Sequence, residues 1–327
     1  MSDKKPKIGV VGAGHLGKHH IKHLSKHSDV DFVGVFDLNK DSLKNICDEF
    51  MVQPVKSLDD LINSCDGVNI VTPTNTHFDI AKKFLEHKKD VFIEKPMTNT
   101  VDEALSLINI AKKNGCIIQV GHIERFNPTI NRLKELVDNP HYIEIERLAP
   151  FQARGTEVPV VLDLMVHDID LILGMVESPI DSIQASGAKM MSSTIDLAHA
   201  HIKFQNGVVA NLKSSRIAQN YVRKIRTYQK NFYSITDLMI PQIELYGLEH
   251  HKMFSENLKS QQVETNSGTK RLYYEKFVPE DKDALLEEIN DFVHCISTRS
   301  EPSVNGQAGA KALEIALQIE SKIFLNE

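Results

Sequence analysis

Lys7-Ile8-Gly9-Val10-Val11-Gly12-Ala13-Gly14-His15-Leu16-Gly17 is the stretch on which the reading of this chain turns. The β-branched run predicts a strand over Lys7–Val11, and glycines at 12, 14 and 17 follow it directly before a helical pattern begins around Lys18–Lys26. Between a strand and a helix the three glycines have separate uses. Gly12 permits a tight turn, Gly14 lets the backbone approach a pyrophosphate, and Gly17 lets helix and strand pack closely. The helix N-terminus, with unpaired N–H groups and partial positive charge, suits that pyrophosphate, so the segment Gly12-Ala13-Gly14-His15-Leu16-Gly17 is expected to bind a dinucleotide. A second strand, Asp31–Phe36, ends at Asp37, 20 residues beyond Gly17. A carboxylate there accepts hydrogen bonds from the ribose hydroxyls and repels a 2′-phosphate. No arginine follows in Leu38-Asn39-Lys40. NAD is therefore expected over NADP, with Lys40 a nearby cation.

Outward from this stretch, strand and helix alternate as far as about residue 120. Helices are predicted near Asp41–Phe50, Phe78–His87 and Val101–Lys113, and strands at Gly67–Thr72, Asp90–Ile93 and Cys116–Val120. Such alternation implies a parallel, doubly wound sheet, because parallel strands need crossover connections. After a helix near Pro128–Val137 the pattern becomes strand-rich: Tyr142–Leu148, Ile183–Met190, Ala198–Phe204, Val208–Ser214, Val222–Tyr228, Phe232–Thr236 and Ile243–Tyr246. Asn206-Gly207 reads as a type I′ hairpin turn. Short links between consecutive strands imply an open, largely antiparallel sheet. Helices near Lys282–Ser297 and Gly306–Phe324 close the sequence. The expected fold is α/β with two domains, 1–122 and 123–327, meeting near residue 122.

Composition excludes several classes. With 41% hydrophobic and 25% charged residues the chain is globular, not disordered. A formal charge of −6 and the absence of Trp argue against nucleic acid as a partner. No apolar run approaches the roughly 20 residues that span a bilayer, so no membrane partner is expected. The four cysteines form no CxxC pair, and buried thiols in a reducing, cytoplasmic setting are expected. His19, His23 and His27 stand at helical spacing without an acidic or Cys companion. They read as a solvated face, and no metal site is expected.

Two further stretches carry chemistry. Glu94-Lys95-Pro96 follows the apolar Val91-Phe92-Ile93, which puts Lys95 at the carboxyl end of a strand, where open α/β sheets bind ligands. In Val160-Val161-Leu162-Asp163-Leu164-Met165-Val166-His167-Asp168-Ile169-Asp170, a helical reading places Asp163, His167 and Asp170 on one face. A carboxylate one turn from a histidine can fix its tautomer. The same spacing also fits an acid-capped helix with a satisfied histidine.

GVVGAGHLG, Asp37, VTPTNTHF (Val71–Phe78), EKP (Glu94–Pro96) and LDLMVHDID (Leu162–Asp170) together resemble the glucose–fructose oxidoreductase/inositol dehydrogenase (Gfo/Idh/MocA) family, in order and across most of the chain. The resemblance implies an N-terminal Rossmann domain and a C-terminal α/β domain whose open sheet serves oligomerisation, as a homodimer or homotetramer. It also implies that the last helix, about 306–324, packs back on the first domain. The family's catalytic lysine matches Lys95, and its Asp-x-x-x-His pair matches Asp163 and His167. Its cofactor contacts fall on Thr72, Pro73, Asn75, His77, Glu94 and Lys95. Oxidation of a sugar hydroxyl needs a proton acceptor and a hydride acceptor. His167 is expected as base, Asp163 as its orienting partner, and Lys95 as donor to the reacting oxygen.

Gly121-His122-Ile123-Glu124-Arg125-Phe126-Asn127-Pro128, with Arg154-Gly155 ahead of the LDLMVHDID run, looks like the UDP-N-acetylglucosamine 3-dehydrogenase branch. That branch makes a 3-keto nucleotide sugar, which an aminotransferase converts on the way to lipid A-type glycolipids. The expected substrate contacts are Arg125, Asn127, Arg154 and His167. The arginines are candidates for a diphosphate, or equally for pairing with acidic neighbours. Met165 either narrows the pocket or packs. The competing functions are an inositol or free-sugar dehydrogenase of the same family and a non-catalytic NAD-binding regulator.

Overall fold

The computed structural model describes residues 5–153, 155–248 and 259–324. The chain forms two compact units. One holds residues up to Phe126 together with Asp283–Leu313, and the other holds Asn127–Lys282 and the residues from Glu314 onward.

In the first unit, β1 (Lys7–Val11), α1 (His15–Leu24), β2 (Asp31–Phe36), α2 (Lys40–Phe50), α3 (Leu58–Ser64), β3 (Gly67–Ile70), α4 (His77–Glu86), β4 (Asp90–Glu94), α5 (Val101–Asn114) and β5 (Ile118–Gly121) follow in sequence. The strands run in the order β2-β1-β3-β4-β5 with every pair parallel. The strand order reverses between β1 and β3, so the crevice at their carboxyl ends is the place where such a sheet takes a ligand. Helix α3 escaped the sequence reading, although its signal is present: the Ser57 hydroxyl accepts the Asp60 N–H at 3.1 Å as an N-cap.

In the second unit, α6 (Pro128–Leu136), β6 (Tyr142–Leu148), α7 (Val166–Met175) and β7 (Ile180–Ala188) are followed by β8 (Leu197–Phe204), β9 (Val209–Ser215), β10 (Val222–Gln229), β11 (Phe232–Asp237), β12 (Gln242–Gly247), β13 (Lys259–Thr265) and β14 (Gly268–Phe277). They form a nine-stranded sheet in the order β13-β14-β12-β11-β10-β6-β9-β8-β7, antiparallel except for the pair β6–β9. Helices α6 and α7 pack against one face. The other face carries Tyr142, Tyr228, Tyr233, Tyr246 and Tyr274 in one cross-strand row, with neighbouring ring centroids 5.5, 4.7, 5.7 and 5.1 Å apart.

Three expectations change. Asn206-Gly207 does not form a type I′ turn: only Gly207 has positive φ (89°), and Phe204 N–H donates to the Val208 carbonyl at 2.9 Å. The loop is therefore the three-residue kind, with glycine in the left-handed position. The hairpin β13–β14 was missed because its residues are mostly exposed and polar, which leaves no alternation to read. The third change is in the division of the chain. Helix α8 (Ala284–Thr298) belongs with the first sheet, not with everything after residue 123. Its stripe Ile289, Phe292, Val293 and Ile296 is buried in the core of that unit, and Phe292 meets Phe92 of β4 at 5.9 Å between ring centroids. The opening residues of α9 (Gly306–Phe324), as far as Leu313, also belong to the first unit. There a Cβ on Gly309 would stand 2.5 Å from Val120 of β5. No helix among the described residues is long and apolar enough to cross a membrane.

A buried ion pair joins β6 to α7 on the inner face of the nine-stranded sheet. Arg147 of β6 reaches Asp168 of α7 through Nε at 2.9 and 3.1 Å and Nη2 at 2.8 Å, with Asp168 fully buried. Arg147→Met, which takes the guanidinium away from a buried carboxylate, is expected to cost about 3–5 kcal/mol in urea unfolding. Arg147→Met combined with Asp168→Leu should recover most of that loss. A single variant as stable as the wild type would show that the pair does not anchor α7.

Candidate active site

The glycine turn is built by close backbone contact. Gly12 adopts φ +110°, donates its N–H to the Phe36 carbonyl at 2.9 Å, and would place a Cβ 2.3 Å from the Val71 carbonyl oxygen. A Cβ on Gly17 would stand 2.1 Å from the Gly12 carbonyl oxygen. Around Gly14, by contrast, no atom lies within 4 Å of a Cβ position. Gly14 is also the N-cap of α1, a helix with no side-chain cap and no acidic residue in its first turn. Its first N–H groups have no side-chain cap, and His15 and Leu16 beside Gly14 are exposed. Asp37 holds the turn from β2. Its Oδ2 accepts the Ala13 N–H at 2.6 Å and its Oδ1 accepts the Asn39 N–H at 2.7 Å. Each oxygen keeps a further lone-pair direction for a hydroxyl donor. These residues fit a dinucleotide: an anion-ready helix end, a glycine cradle a side chain would fill, and a carboxylate at the end of β2.

At the neighbouring strand ends, Thr72 follows β3, exposed Pro73 and Asn75 lie in the turn before α4, and Thr76 donates to the Thr72 hydroxyl at 2.7 Å. His77, expected among the cofactor contacts, is 1% exposed. Its Nε2 lies 2.8 Å from the Thr72 carbonyl and its Nδ1 3.1 Å from the Pro96 carbonyl, so the neutral ring donates to one of the two and the protonated ring to both. Burial pushes the His77 pKa below its ordinary value, against the pull of those two carbonyls.

Glu94 and Lys95 close β4, both half-buried, and the Lys95-Pro96 peptide is cis. Glu94 Oε2 accepts the Lys95 N–H at 3.1 Å, and its Oε1 lies 3.0 Å from Nε2 of His20. Burial opposes ionisation of Glu94. The His20 hydrogen bond and the Lys95 charge outweigh it and hold the carboxyl below its usual pKa. Sequence reasoning passed over His20, because one buried histidine among four on a helix carries no periodic signal of its own. His23 and His27 do not form the solvated face expected from their spacing. They instead meet Asp283 at 3.2 Å and Asn290 at 2.8 Å, both in or capping α8.

Arg125 lies half-buried on the single 3-10 turn Ile123–Phe126 that ends the first unit. In the second unit, Asn127 is the N-cap of α6, its Oδ1 accepting the Thr129 N–H at 3.0 Å, a structural use not foreseen for a substrate contact. Arg154 lies outside the described residues. Asp163 lies on a π-helical turn, Val161–Met165, and His167 in the first turn of α7, which begins only at Val166. This widened turn resets the angle between residues four apart, and such turns recur at functional sites. Asp163 and His167 are both half-buried, Asp170 is buried, and Met165 is fully buried, so Met165 packs. Among the described residues no three His, Cys, Asp or Glu side chains are placed to hold a metal ion.

Residues 6–122 match the NAD-binding Rossmann-fold domain of the Gfo/Idh/MocA oxidoreductases, and residues 147–231 match that family's C-terminal domain. The chain is 32% identical over 314 residues to the UDP-N-acetylglucosamine 3-dehydrogenase of Acidithiobacillus ferrooxidans, covering 96% of each chain. The chain belongs to the Gfo/Idh/MocA family. A solved structure of that Acidithiobacillus enzyme superposes with a TM-score of 0.87 at 31% identity over 98% of both chains. The myo-inositol 2-dehydrogenase of Thermotoga maritima is 25% identical, covering 94% of this chain and 93% of its own.

A Gfo/Idh/MocA chain is an NAD-binding oxidoreductase, and two glycines of its turn make separable expectations. Gly17→Ala should lower both thermal stability and NADH affinity, because the new methyl collides with the Gly12 carbonyl. Gly14→Ala has open space and an ordinary φ of −77°. It should fold like the wild type and lose about tenfold in NADH affinity by fluorescence titration. A Gly14→Ala protein that binds NADH normally would move the pyrophosphate away from this turn.

Proposed function

We propose that the protein oxidises the 3-hydroxyl of UDP-N-acetylglucosamine to a ketone with NAD as oxidant. The observation that carries this reading is the full-length identity to the Acidithiobacillus UDP-N-acetylglucosamine 3-dehydrogenase. NAD, when bound, supplies the hydride acceptor. Gly12, Gly14, His15, Leu16, Gly17 and Asp37 hold its pyrophosphate and adenosine half, and Thr72, Pro73, Asn75, Glu94 and Lys95 its nicotinamide half. His77 acts indirectly, through its contacts with the carbonyls of Thr72 and Pro96. His167 takes the hydroxyl proton, Asp163 orients His167, and Lys95 donates a hydrogen bond to the oxygen that becomes the carbonyl. Arg125 and Arg154 serve the diphosphate, whose oxygens a guanidinium can bind in pairs.

Further steps follow from the chemistry. A 3-keto nucleotide sugar is a substrate for transamination, so an aminotransferase that makes a 3-amino sugar for lipid A-type glycolipids is the natural successor. The cytoplasm supplies both NAD and nucleotide sugars. We assign the open face of the nine-stranded sheet, with its tyrosine row, to a second copy of the chain in a homodimer or homotetramer.

Oxidation of a secondary alcohol by NAD is uphill, so the test must trap the product. Anaerobic incubation with NAD, UDP-N-acetylglucosamine and hydroxylamine should yield a 3-oxime of the UDP-sugar by mass spectrometry. It should also yield equimolar NADH. His167→Ala should cut this rate by roughly 10²–10⁴-fold while NADH still binds. Oxime from myo-inositol or a free sugar, with none from the UDP-sugar, would replace this substrate with that one.

A further inference from the structure

Helix α1 presents two kinds of histidine. His15 and His19 are exposed, whereas His20 is 1% exposed and wedged between β3 and β4. Its ring sits edge-on to Phe92 of β4 at 5.2 Å between centroids, and both of its nitrogens have polar partners. Asn69 of β3, fully buried, brings Nδ2 to 3.0 Å from His20 Nδ1. A ring that accepts from that amide at Nδ1 and carries its proton on Nε2 satisfies both partners. That proton points at Glu94 Oε1, 3.0 Å away. The opposite neutral tautomer would set a lone pair against a carboxylate. Glu94 then spends its other oxygen on the Lys95 N–H at 3.1 Å. On the far side, a Cβ on Gly121 of β5 would stand 3.0 Å from Glu94 Cδ and Oε2, so the carboxylate occupies space that a glycine leaves open.

We propose that His20 is the positioning residue for Lys95: Asn69 fixes its tautomer, His20 fixes the Glu94 carboxylate, and Glu94 fixes the main chain from which Lys95 leaves β4. The inference rests on the reading of Lys95 as the donor to the reacting oxygen. Its consequence is mechanical. One helix offers its N-terminus to the pyrophosphate and, one turn later, supplies the histidine that aims the lysine. Seating of the dinucleotide and direction of Lys95 are thus set by one rigid element. A histidine kept only for packing would need neither polar partner, and leucine would serve in its place.

The test uses the intact protein and two substitutions. The oxygen and nitrogen of a glutamine amide stand about as far apart as the imidazole nitrogens, so His20→Gln keeps an acceptor for Asn69 and a donor for Glu94, whereas His20→Leu keeps neither. The first readout needs no substrate. In protein labelled with 15N-lysine, the Lys95 amide resonance, assigned by its absence in Lys95→Met, should shift upfield in His20→Leu and return toward the wild-type position in His20→Gln. The second is a split of kinetic constants. His20→Leu should lower kcat by roughly 10²-fold, the scale of a small misplacement at a reacting centre, and His20→Gln should recover most of it. NADH affinity, to which the glycine turn and Asp37 also contribute, should change less than kcat in both variants. If His20→Leu does not fold, Asn69→Ala, which leaves the ring but frees its tautomer, should show the same amide shift. An unmoved Lys95 amide in folded His20→Leu, or equal kcat in the Leu and Gln variants, overturns the proposal. Failure of every protein, wild type included, to oxidise UDP-N-acetylglucosamine removes the substrate and leaves the amide shift to decide the role of His20.

Discussion

The carbonyl oxygen of Gly12 lies where a side chain on residue 17 would have to be. That backbone-on-backbone contact sets the distance between α1 and the sheet, and much else follows from it. With α1 seated so closely, its N-terminus at Gly14 follows directly on Ala13, whose N–H the Asp37 carboxylate accepts. The same seating brings Ile21 and Leu24 into the core with Phe92, and it lowers His20 to hydrogen-bond distance of both β3 and β4. A bulkier residue at position 17 would lift the helix as a body, so the cofactor end and the lysine end would be lost together. The usual account of the third glycine as a packing device is therefore incomplete for this chain.

The second unit depends on a different constraint, the burial of charge. Asp163 and Asp168 are five residues apart and chemically identical, yet Asp163 stays half-buried while Asp168 is wholly enclosed against Arg147. A buried carboxylate without a partner is costly, so the bidentate arginine fixes where α7 enters the sheet's inner face. His167, next to Asp168, inherits that fixed position. The π-helical turn just before it is the local adjustment that lets the segment satisfy the anchor and still present Asp163 outside the core.

Much of this was legible in the sequence, and the boundary of legibility is physical. The strand–glycine–helix run, Asp37 at the end of β2, and Lys95 at the end of β4 could be read because each is specified by its immediate neighbours in the chain. The hairpin at Asn206-Gly207 was legible as a hairpin but not as a turn type, since one residue more in the loop changes which position needs positive φ. His20, the burial of His77 and the placing of α8 were not legible. Periodicity shows that a helix has a buried face, but not what that face meets. His23 and His27 illustrate this: their spacing fits a solvated stripe, and their partners Asp283 and Asn290 come from more than 250 positions away. The π turn that carries Asp163 was not legible either, because nothing in the local spacing announces one.

Family membership fixes the cofactor and the class of chemistry, and it leaves the choice of sugar to few residues. A chain with a formal charge of −6 repels a nucleotide diphosphate at long range. Recognition of one must then come from cations held close to the bound molecule, where screening is weak. An inositol or a free sugar makes no such demand. The fold is common to relatives acting on either kind of substrate, so hydride transfer places no constraint on the question. In the proposed reading Arg125 is a candidate for that cation. It is half-buried, and it is carried on the 3-10 turn that leaves β5, the strand paired with the one that ends in Glu94. A guanidinium held on a short rigid turn loses less freedom on binding phosphate than a flexible ammonium would. That difference, and not net charge, is what can make a nucleotide sugar the preferred substrate of an acidic protein.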